Sequence, residues 1–484
     1  MPAPAELIDK LMAYGQEHLV AFWDELDGAG QQRLAGQIAA VDFEQIAELH
    51  GGKTDQPDWA ALARRAQPPP AVRLTDRAQD AAGPLGVTPA QAIERGRAAL
   101  EAGEVGVLLV AGGQGSRLGF EKAKGMYPIG PVSGASLLQV HLEKAVALAA
   151  RHPSGGGVPV YLMTSPVTHD QQRAFLAEHN RFGLAEDDLV VFCQGTMPAV
   201  DRETGRLLLA DKGRLFLSPN GHGGMVAALA GAGGQNADGA GEGPIGHMRR
   251  RGVKHLFYLQ VDNPLAPIGD AELIGYHLLA ESELTSMAVA KQTPRDKLGN
   301  FGMIDGKMNV IEYSDMPDDV AEQRAEGAGG LRFWAGSIAV HVFDVAFLER
   351  MLGRKDAMPL HVAHKKVPHL SPAGELIQPD EPNALKFERF IFDLLPQAAN
   401  PIVVEYAELE VMAALKNAPG AAKDTEEYVH RLLIAQHTGW LRDAGAEVAD
   451  GARVEISPLW GLDARGVADR VEPGAVIADG TYLR

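Results

Sequence analysis

The residues with the clearest chemical potential form a glycine-rich turn that follows a short apolar run. The run is Val107–Val110, and the turn from Ala111 to Gly119 reads Ala-Gly-Gly-Gln-Gly-Ser-Arg-Leu-Gly. Because glycine lacks a Cβ, it lets the chain turn sharply and bring backbone N–H groups close to an anion. Ligands of open α/β sheets bind beyond the carboxyl ends of the strands. The pattern therefore predicts a phosphate-binding loop at a strand end, with Arg117 and Lys124 as neighbouring cations.

Two familiar phosphate-binding loops do not match this segment. A P-loop ends in Gly-Lys followed by Ser or Thr, and no Gly-Lys stands at that spacing here. Gly113 and Gly115 begin the dinucleotide fingerprint Gly-x-Gly-x-x-Gly, but Leu118 occupies the place of its third glycine. A tight strand-to-helix turn without a ligand would explain two glycines. It would not explain four glycines together with the cations.

The carboxylate of Asp262 is a second candidate group. It ends the apolar run His255–Val261 and is followed by Asn263 and Pro264. A carboxylate at a strand's carboxyl end is well placed to hold Mg²⁺ against phosphate oxygens. The alternative is that Asp-Asn-Pro forms a plain turn.

The elements that must position these groups change along the chain. Apolar residues recur at helical spacing in Ala5–Leu26 and Leu34–Leu49, and Thr88 followed by Pro89 is a helix start signal. Further on, apolar runs alternate with amphipathic segments such as Ser136–Ala150, a pattern typical of parallel βαβ units. The predicted strands are Val107–Val110, Val158–Met163, Leu189–Phe192, His255–Val261, Ser286–Lys291 and Ile338–Val342.

A chain of 484 residues exceeds what one hydrophobic core normally serves. We expect an N-terminal helical region over residues 1–100, an α/β domain over 101–400, and a C-terminal region over 401–484. The last thirty-odd residues alternate short β-like runs with Gly, Pro and Asp, which predicts a small β-rich tail. The glycine-rich stretch 231–246 predicts a mobile surface insertion.

Composition limits the partners that the protein can have. The formal net charge of −18 argues against a nucleic-acid partner, which would call for a basic face. No apolar run approaches the roughly 18 residues of a membrane helix. The single cysteine, Cys193, argues for a reducing compartment. We therefore expect a cytoplasmic protein that is a monomer or a weak homo-oligomer and binds neither nucleic acid nor membrane.

The glycine loop, followed by Lys124-Gly-Met-Tyr-Pro-Ile-Gly130, resembles the nucleotide-binding signature of the eukaryotic-type UDP-sugar pyrophosphorylases. Within that family it is most similar to the UDP-N-acetylhexosamine enzymes. The resemblance extends over roughly residues 85 to 430. It implies a Rossmann-like nucleotidyltransferase domain with a mixed, mainly parallel sheet. The implied reaction is a Mg²⁺-dependent in-line transfer between UTP and a sugar 1-phosphate, without a covalent intermediate.

The resemblance also implies a role for each matching residue. Charge neutralisation during transfer falls to Arg117, Lys124, Lys386 and Lys416. Mg²⁺ binding falls to Asp262, and sugar binding to Asn220, Glu312 and the segment around Trp334. Nucleotide binding falls to Ala111, Gly112, Gly113, Gln114, Gly115, Gln194, Pro219, Asn220, Gly221 and His222. An amide such as Gln194 offers both a donor and an acceptor, which suits uracil. We interpret His222 as a loop histidine and not as a catalytic base.

One segment departs from the acetylhexosamine enzymes. Trp334 and Ser337 stand where those enzymes carry asparagines. A tryptophan can stack on a sugar ring, but it does not replace an amide's donor and acceptor. The overall resemblance favours N-acetylglucosamine 1-phosphate as the substrate, and this departure leaves glucose or galactose 1-phosphate as the alternative. A nicotinamide-dependent oxidoreductase and a non-catalytic nucleotide-sugar sensor are alternatives of other classes.

A later segment that also resembles the family contains His361 and His364. Their i,i+3 spacing would suit a zinc pair on a helix. No third ligand follows at helical spacing, so we reject a metal site there. The resemblance implies either a structural role or contact with phosphate.

Overall fold

The computed structural model describes residues 2–52, 57–78, 82–231, 243–327, 330–354 and 357–484 of the chain. Most of the glycine-rich stretch predicted as a surface insertion, residues 232–242, lies outside this range. Among the described helices, none combines the length and the apolar character needed to cross a bilayer.

Contacts divide the chain into two compact units, each assembled from separate stretches of sequence. The smaller unit comprises Met1–Asp58, Gln194–Met225 and Met358–Ile391. The larger unit comprises Trp59–Cys193, Val226–Ala357 and Phe392–Arg484. The predicted regions 1–100, 101–400 and 401–484 are consecutive stretches, and as folding regions they stay a prediction.

A ten-stranded sheet forms the centre of the larger unit. Its pairs are parallel except for those of one long strand, Ala335–Asp344, which runs antiparallel to three neighbours, and the antiparallel pair of a hairpin beside it. In spatial order the main path is Ala71–Val72, Ile402–Tyr406, Leu284–Ala290, Ala335–Asp344, His255–Gln260, Val105–Val110, Val160–Thr164 and Leu189–Cys193. A hairpin of Gly299–Ile304 and Lys307–Ile311 joins the long strand. The predicted α/β class and all six predicted strands are confirmed.

Helices cover this sheet and bury its apolar side chains. The helix Leu137–Arg151 starts at Ser136, whose Oγ accepts a hydrogen bond from the N–H of Gln139 at 3.1 Å. The predicted start at Thr88 is also confirmed, because a reciprocal capping box links Thr88 to Gln91. The α-helices outside the N-terminal region are Trp59–Arg65, Leu74–Ala78, Pro89–Glu101, Leu137–Arg151, His169–Glu178, Met225–Leu229, Pro244–Arg251, Ala271–Leu279, Asp318–Ala321, Val345–Leu352, Glu408–Val411, Glu426–Asp443 and Ala464–Ala468.

The C-terminal tail contains short paired strands, as predicted. Glu447–Val448 pairs with Val476–Ile477, and Val454–Ile456 pairs with Thr481–Leu483, both in parallel. Their apolar side chains form a small cluster with the end of the helix Glu426–Asp443.

The smaller unit packs three N-terminal helices against short strands. The helices are Ala5–Ala13, Gly28–Ala39 and Phe43–His50. The paired strands are Thr196–Pro198 with Leu217–Pro219, Leu209–Asp211 with Arg214–Leu215, His369–Leu370 with Leu376–Ile377, and Ala384–Glu388 with both Val200–Asp201 and His361–Lys365. Buried leucines of the helices and Phe387 form the common core.

The helical pattern predicted over Ala5–Leu26 is realised only in part. The α-helix ends at Ala13, and Gly15 follows in a left-handed conformation with φ 65°. Two short 3₁₀ turns, Glu17–Val20 and Trp23–Glu25, complete the segment. Because a left-handed residue ends an α-helix, helical spacing alone overestimated its length.

The larger unit contains buried histidines that stay neutral. Burial lowers the pKa of His141 to about 3 and that of His437 to about 4, and it holds the pKa of His277 well below its usual value. Below pH 6.5 the unfolded chain therefore binds protons that the folded chain does not bind. The contribution of these histidines to folding stability is fully present above that pH. It is lost as the pH falls.

We predict that the melting temperature of the protein falls steeply between pH 6.5 and pH 5. Over this interval each such histidine lowers the free energy of unfolding by about 1.4 kcal/mol per pH unit. Calorimetry at constant ionic strength measures the effect. The variant His277→Asn should show a smaller fall than the parent protein over this interval. Equal pH dependence in the two proteins would contradict the assignment.

Candidate active site

The glycine loop is fixed by hydrogen bonds to its carbonyl groups. Gln172 Nε2 donates to the carbonyl of Ala111 at 2.9 Å, and Ser165 Oγ donates to the carbonyl of Gly112 at 2.7 Å. The N–H groups of Gly112, Gly113 and Gln114 donate to no acceptor in the described parts of the chain. With its carbonyls held in place and these N–H groups open, the loop can bind an anion.

The loop then folds back on itself and brings Lys124 beside it. Gly115 N–H donates to the carbonyl of Lys122 at 2.9 Å, and Lys124 N–H donates to the carbonyl of Gly113 at 3.0 Å. Position 115 has no space for a side chain, because a Cβ there would stand 2.7 Å from the carbonyl oxygen of Phe120. By contrast, a Cβ on Gly113 would meet no atom within 4 Å.

Lys124 forms an ion pair with Asp262. The distance from Lys124 Nζ to Asp262 Oδ2 is 3.3 Å, and the side chains are 20% and 11% exposed. Lys124 Nζ also donates to the carbonyl of Leu415 at 3.2 Å. The N–H of Leu415 in turn donates to the carbonyl of Asp262 at 2.8 Å. Three distant segments thus meet at one partly buried pair of charges.

Asp262 is the predicted metal ligand, and its carboxylate is paired with Lys124. In the parts of the chain that the structure describes, no group of three His, Cys, Asp or Glu side chains could hold a metal by itself. Mg²⁺ commonly binds through one or two carboxylates together with substrate phosphates and water. Asp262 follows the strand His255–Gln260 at its carboxyl end, as the sequence predicted.

The two other predicted cations of the larger unit are exposed. Arg117 lies on the 3₁₀ turn Ser116–Leu118 that follows the loop. Lys416 lies in a turn in which its own N–H donates to the carbonyl of Asp424 at 2.8 Å. Burial raises the pKa of the Asp424 carboxyl, and the charge of Lys416 opposes that effect.

The predicted sugar-binding residues of the larger unit lie at the ends of two strands that both pair with Gly299–Ile304. Glu312 follows the strand Lys307–Ile311. Trp334 precedes the strand Ala335–Asp344 and is 7% exposed. The guanidinium of Arg73 stacks on its ring at 3.7 Å from the centroid. Arg73 therefore covers one face of Trp334, and sugar binding by Trp334 stays a prediction.

In the smaller unit, the second glycine-rich segment surrounds the side chain of Asn220. This side chain is buried, and its Oδ1 has no hydrogen-bond partner among the described residues. Pro219 ends the preceding strand, and Gly221 has φ 82°. A Cβ at Gly224 would stand 1.9 Å from Asn220 Oδ1. The glycines thus make room for an amide whose buried carbonyl can still accept a hydrogen bond.

Two further predicted nucleotide-binding residues belong to the same unit. Gln194 is buried at 5% exposure. His222 accepts a hydrogen bond at Nδ1 from the N–H of Ile391 at 3.1 Å. Burial, and secondarily the charge of His361, lower the pKa of His222 to about 4. A neutral ring fixed by the backbone agrees with the interpretation of His222 as a loop residue.

Lys386 and the two late histidines lie on paired strands. Lys386 Nζ lies 5.0 Å from the ring centroid of Phe216, and partial burial lowers its pKa. His361 and His364 lie on the strand His361–Lys365. The interpretation of their i,i+3 spacing as helical was therefore wrong. Because successive side chains of a strand alternate between faces, residues three apart point in opposite directions. This geometry agrees with the rejection of a zinc pair.

Ser165, Gln172 and Leu415 were not predicted from the sequence, although each contacts the loop or the ion pair. None belongs to a recognisable motif, and their contacts arise only when the chain folds. Arg73 was missed for the same reason.

The mixed sheet, the open loop at a strand end and the adjacent ion pair define a nucleotidyltransferase of the α/β class. A family model described as UTP–glucose-1-phosphate uridylyltransferase matches residues 81–446. The chain belongs to this family.

Individual relatives cover three quarters of the chain or more. The UDP-N-acetylhexosamine pyrophosphorylase-like protein 1 of Xenopus tropicalis is 34% identical over 96% of this chain and 88% of its own length. The UDP-N-acetylglucosamine pyrophosphorylase of Saccharomyces cerevisiae is 36% identical over 75% of each chain. The crystal structure of the Trypanosoma brucei uridine diphosphate N-acetylglucosamine pyrophosphorylase, solved with an inhibitor, has a TM-score of 0.79 at 25% identity. It covers 100% of this chain and 98% of that one.

We predict that Gly113→Ala weakens UTP binding about tenfold, a loss of about 1.4 kcal/mol, while the melting temperature stays unchanged. The added methyl group has space in the protein but would stand where the open N–H groups meet phosphate. Titration calorimetry with UTP measures the effect. Gly439→Ala is the matched control, since a Cβ there also meets no atom within 4 Å. Equal UTP affinity in both variants would contradict this role for the loop.

Proposed function

We propose that the protein joins UTP to N-acetylglucosamine 1-phosphate and releases pyrophosphate. The observation that carries this proposal is the Lys124–Asp262 pair beside a loop with open N–H groups. Such a surface offers a cation, an anion for a metal ion and hydrogen-bond donors to one triphosphate. The relatives named for acetylated sugars, at 34% and 36% identity, support this choice of sugar.

The proposed reaction is an in-line displacement at phosphorus. A phosphate oxygen of the sugar 1-phosphate attacks the α-phosphorus of UTP and forms the new P–O bond. The bond from the α-phosphorus to the oxygen that bridges to the β-phosphorus breaks, and pyrophosphate leaves with the bonding electrons. Because the attacking phosphate is already anionic, the reaction needs neither a general base nor a covalent intermediate. Positioning and charge neutralisation then supply the catalysis.

Within the larger unit, the loop N–H groups would bind the triphosphate, and Lys124, Arg117 and Lys416 would neutralise its charge. Asp262 would hold Mg²⁺, since one carboxylate next to a phosphate-binding loop fits that ion. A bound Mg²⁺ ion would supply charge neutralisation at the phosphate oxygens. Lys124 would keep the Asp262 carboxylate oriented before the substrate arrives.

Within the smaller unit, Gln194 would bind uracil, and the Asn220 amide would bind nucleoside and sugar. Pro219, Gly221 and His222 would shape that segment, and Lys386 would bind phosphate. The buried Asn220 Oδ1, which has no hydrogen-bond partner among the described residues, supports a ligand contact there.

Glucose 1-phosphate or galactose 1-phosphate is the second candidate substrate. The tryptophan at position 334, in place of an asparagine, favours this alternative, as does the match to a family model described for glucose 1-phosphate. Trp334 and Glu312 would contact the sugar in either case.

The compartment and oligomeric state belong to the same proposal. We infer a cytoplasmic enzyme because the one cysteine of the sequence, Cys193, is buried and burial raises its thiol pKa to about 11. Such a thiol stays protonated near neutral pH, and the thiolate is the form that takes part in disulfide exchange. A monomer or weak homo-oligomer stays the expectation.

The direct test is pyrophosphate release with UTP and a panel of sugar 1-phosphates at saturating Mg²⁺. We predict that kcat/KM is highest for N-acetylglucosamine 1-phosphate and that ATP, CTP and GTP are poor replacements for UTP. A preference for glucose or galactose 1-phosphate would favour the alternative. If the protein binds UTP but releases no pyrophosphate with any of the sugar 1-phosphates, the proposed reaction is contradicted.

A further inference from the structure

Side chains of one helix donate hydrogen bonds to the turn that carries Asp262. On the helix Leu137–Arg151, Lys144 Nζ donates to the carbonyls of Pro264 at 2.6 Å and Ala266 at 2.9 Å. His141, one turn earlier on the same helix, donates through Nε2 to the carbonyl of Val261 at 3.0 Å. These contacts lie on both sides of Asp262 along the chain, so the helix fixes the two ends of the turn.

Neutral groups hold the middle of the turn. The side-chain amide of Asn263 donates to the carbonyl of Val411 at 2.8 Å and accepts from the N–H of Ala413 at 2.9 Å. The carbonyl of Asp262 accepts from Leu415. Two ammonium groups contact this turn: Lys124 pairs with the Asp262 carboxylate, whereas Lys144 donates to backbone carbonyls.

The position of Lys144 is costly for a cation. Its ammonium has two neutral carbonyl acceptors, and the described residues provide no carboxylate partner for it. Removing an ammonium from water without a counter-charge is unfavourable. Loss of water accordingly lowers the pKa of Lys144 to about 7. An apolar side chain of the same length would leave the two carbonyls without this donor, so Lys144 does more than fill space.

We propose that Lys144 is a positioning residue that fixes the Asp262 turn so that the carboxylate meets Mg²⁺ and the phosphates of UTP. By holding the carbonyls of Pro264 and Ala266, Lys144 prevents the turn from relaxing after the strand ends. The inference rests on the proposed role of Asp262 in metal binding. Lys144 itself touches neither substrate nor metal.

The test replaces the ammonium with an apolar side chain of similar length, Lys144→Met. We expect kcat, measured at saturating UTP and Mg²⁺, to fall about 10-fold to 100-fold, as for other groups that orient a metal ligand. The second readout is the rise in melting temperature on adding UTP with and without Mg²⁺. The Mg²⁺-dependent part of that rise should be lost, and the part due to UTP alone should be kept.

Two variants complete the comparison. Arg151→Met removes a cation from the same helix that pairs with Asp463, and it should behave as wild type in both readouts. Lys144→Arg keeps donors for the two carbonyls and should regain part of kcat. If Lys144→Met gives no cooperative melting, Lys144→Gln, which is too short to hold both carbonyls, must show the same loss.

The outcomes separate the two proposals. If wild-type protein shows no Mg²⁺-dependent rise with UTP, the metal-binding role of Asp262 fails, and the inference fails with it. If wild type shows that rise and the folded Lys144 variants keep it together with full kcat, Lys144 does not position the turn.

Discussion

Lys124 and Asp262 meet at 3.3 Å although 138 residues separate them in the sequence. Their contact joins the end of the glycine loop to the turn that follows a central strand. An ion pair that is only partly exposed is stronger than one at the surface, because less solvent screens it. It also costs more to form, since both groups lose water. The surrounding structure must therefore hold the two charges in place.

Rigid contacts on each side supply that constraint. On the loop side, the carbonyl of Gly113 accepts from the N–H of Lys124, so the lysine and the phosphate-binding N–H groups belong to one fixed segment. On the other side, Lys144 holds the turn after Asp262. Leu415 contacts both members of the pair, through its carbonyl and its N–H. Preorganised charges of this kind need no rearrangement when a triphosphate binds.

The sequence predicted the parts of this arrangement that depend on local pattern. Short apolar runs identified the strands, the capping residue Thr88 identified a helix start, and the glycines identified the loop. Contacts between distant segments have no local signal in the sequence. The hydrogen bonds from Lys144 to the turn after Asp262 and the stacking of Arg73 on Trp334 were therefore not predicted. The i,i+3 spacing of His361 and His364 was misread as helical, because spacing does not tell which backbone carries it. Of the candidate site residues, Lys124 and Asp262 were both selected from the sequence and their roles stay predictions, but their direct contact was not predicted.

The most direct test of the central claim is a double-mutant cycle on Lys124→Met and Asp262→Asn, with kcat/KM for UTP as the measured quantity. If the pair acts as one unit, each single variant should lose about 100-fold or more, and the double variant should lose much less than the product of the two. The exposed neighbour Lys122→Met should behave as wild type. Independent effects, in which the double variant loses the full product, would contradict a functional pair.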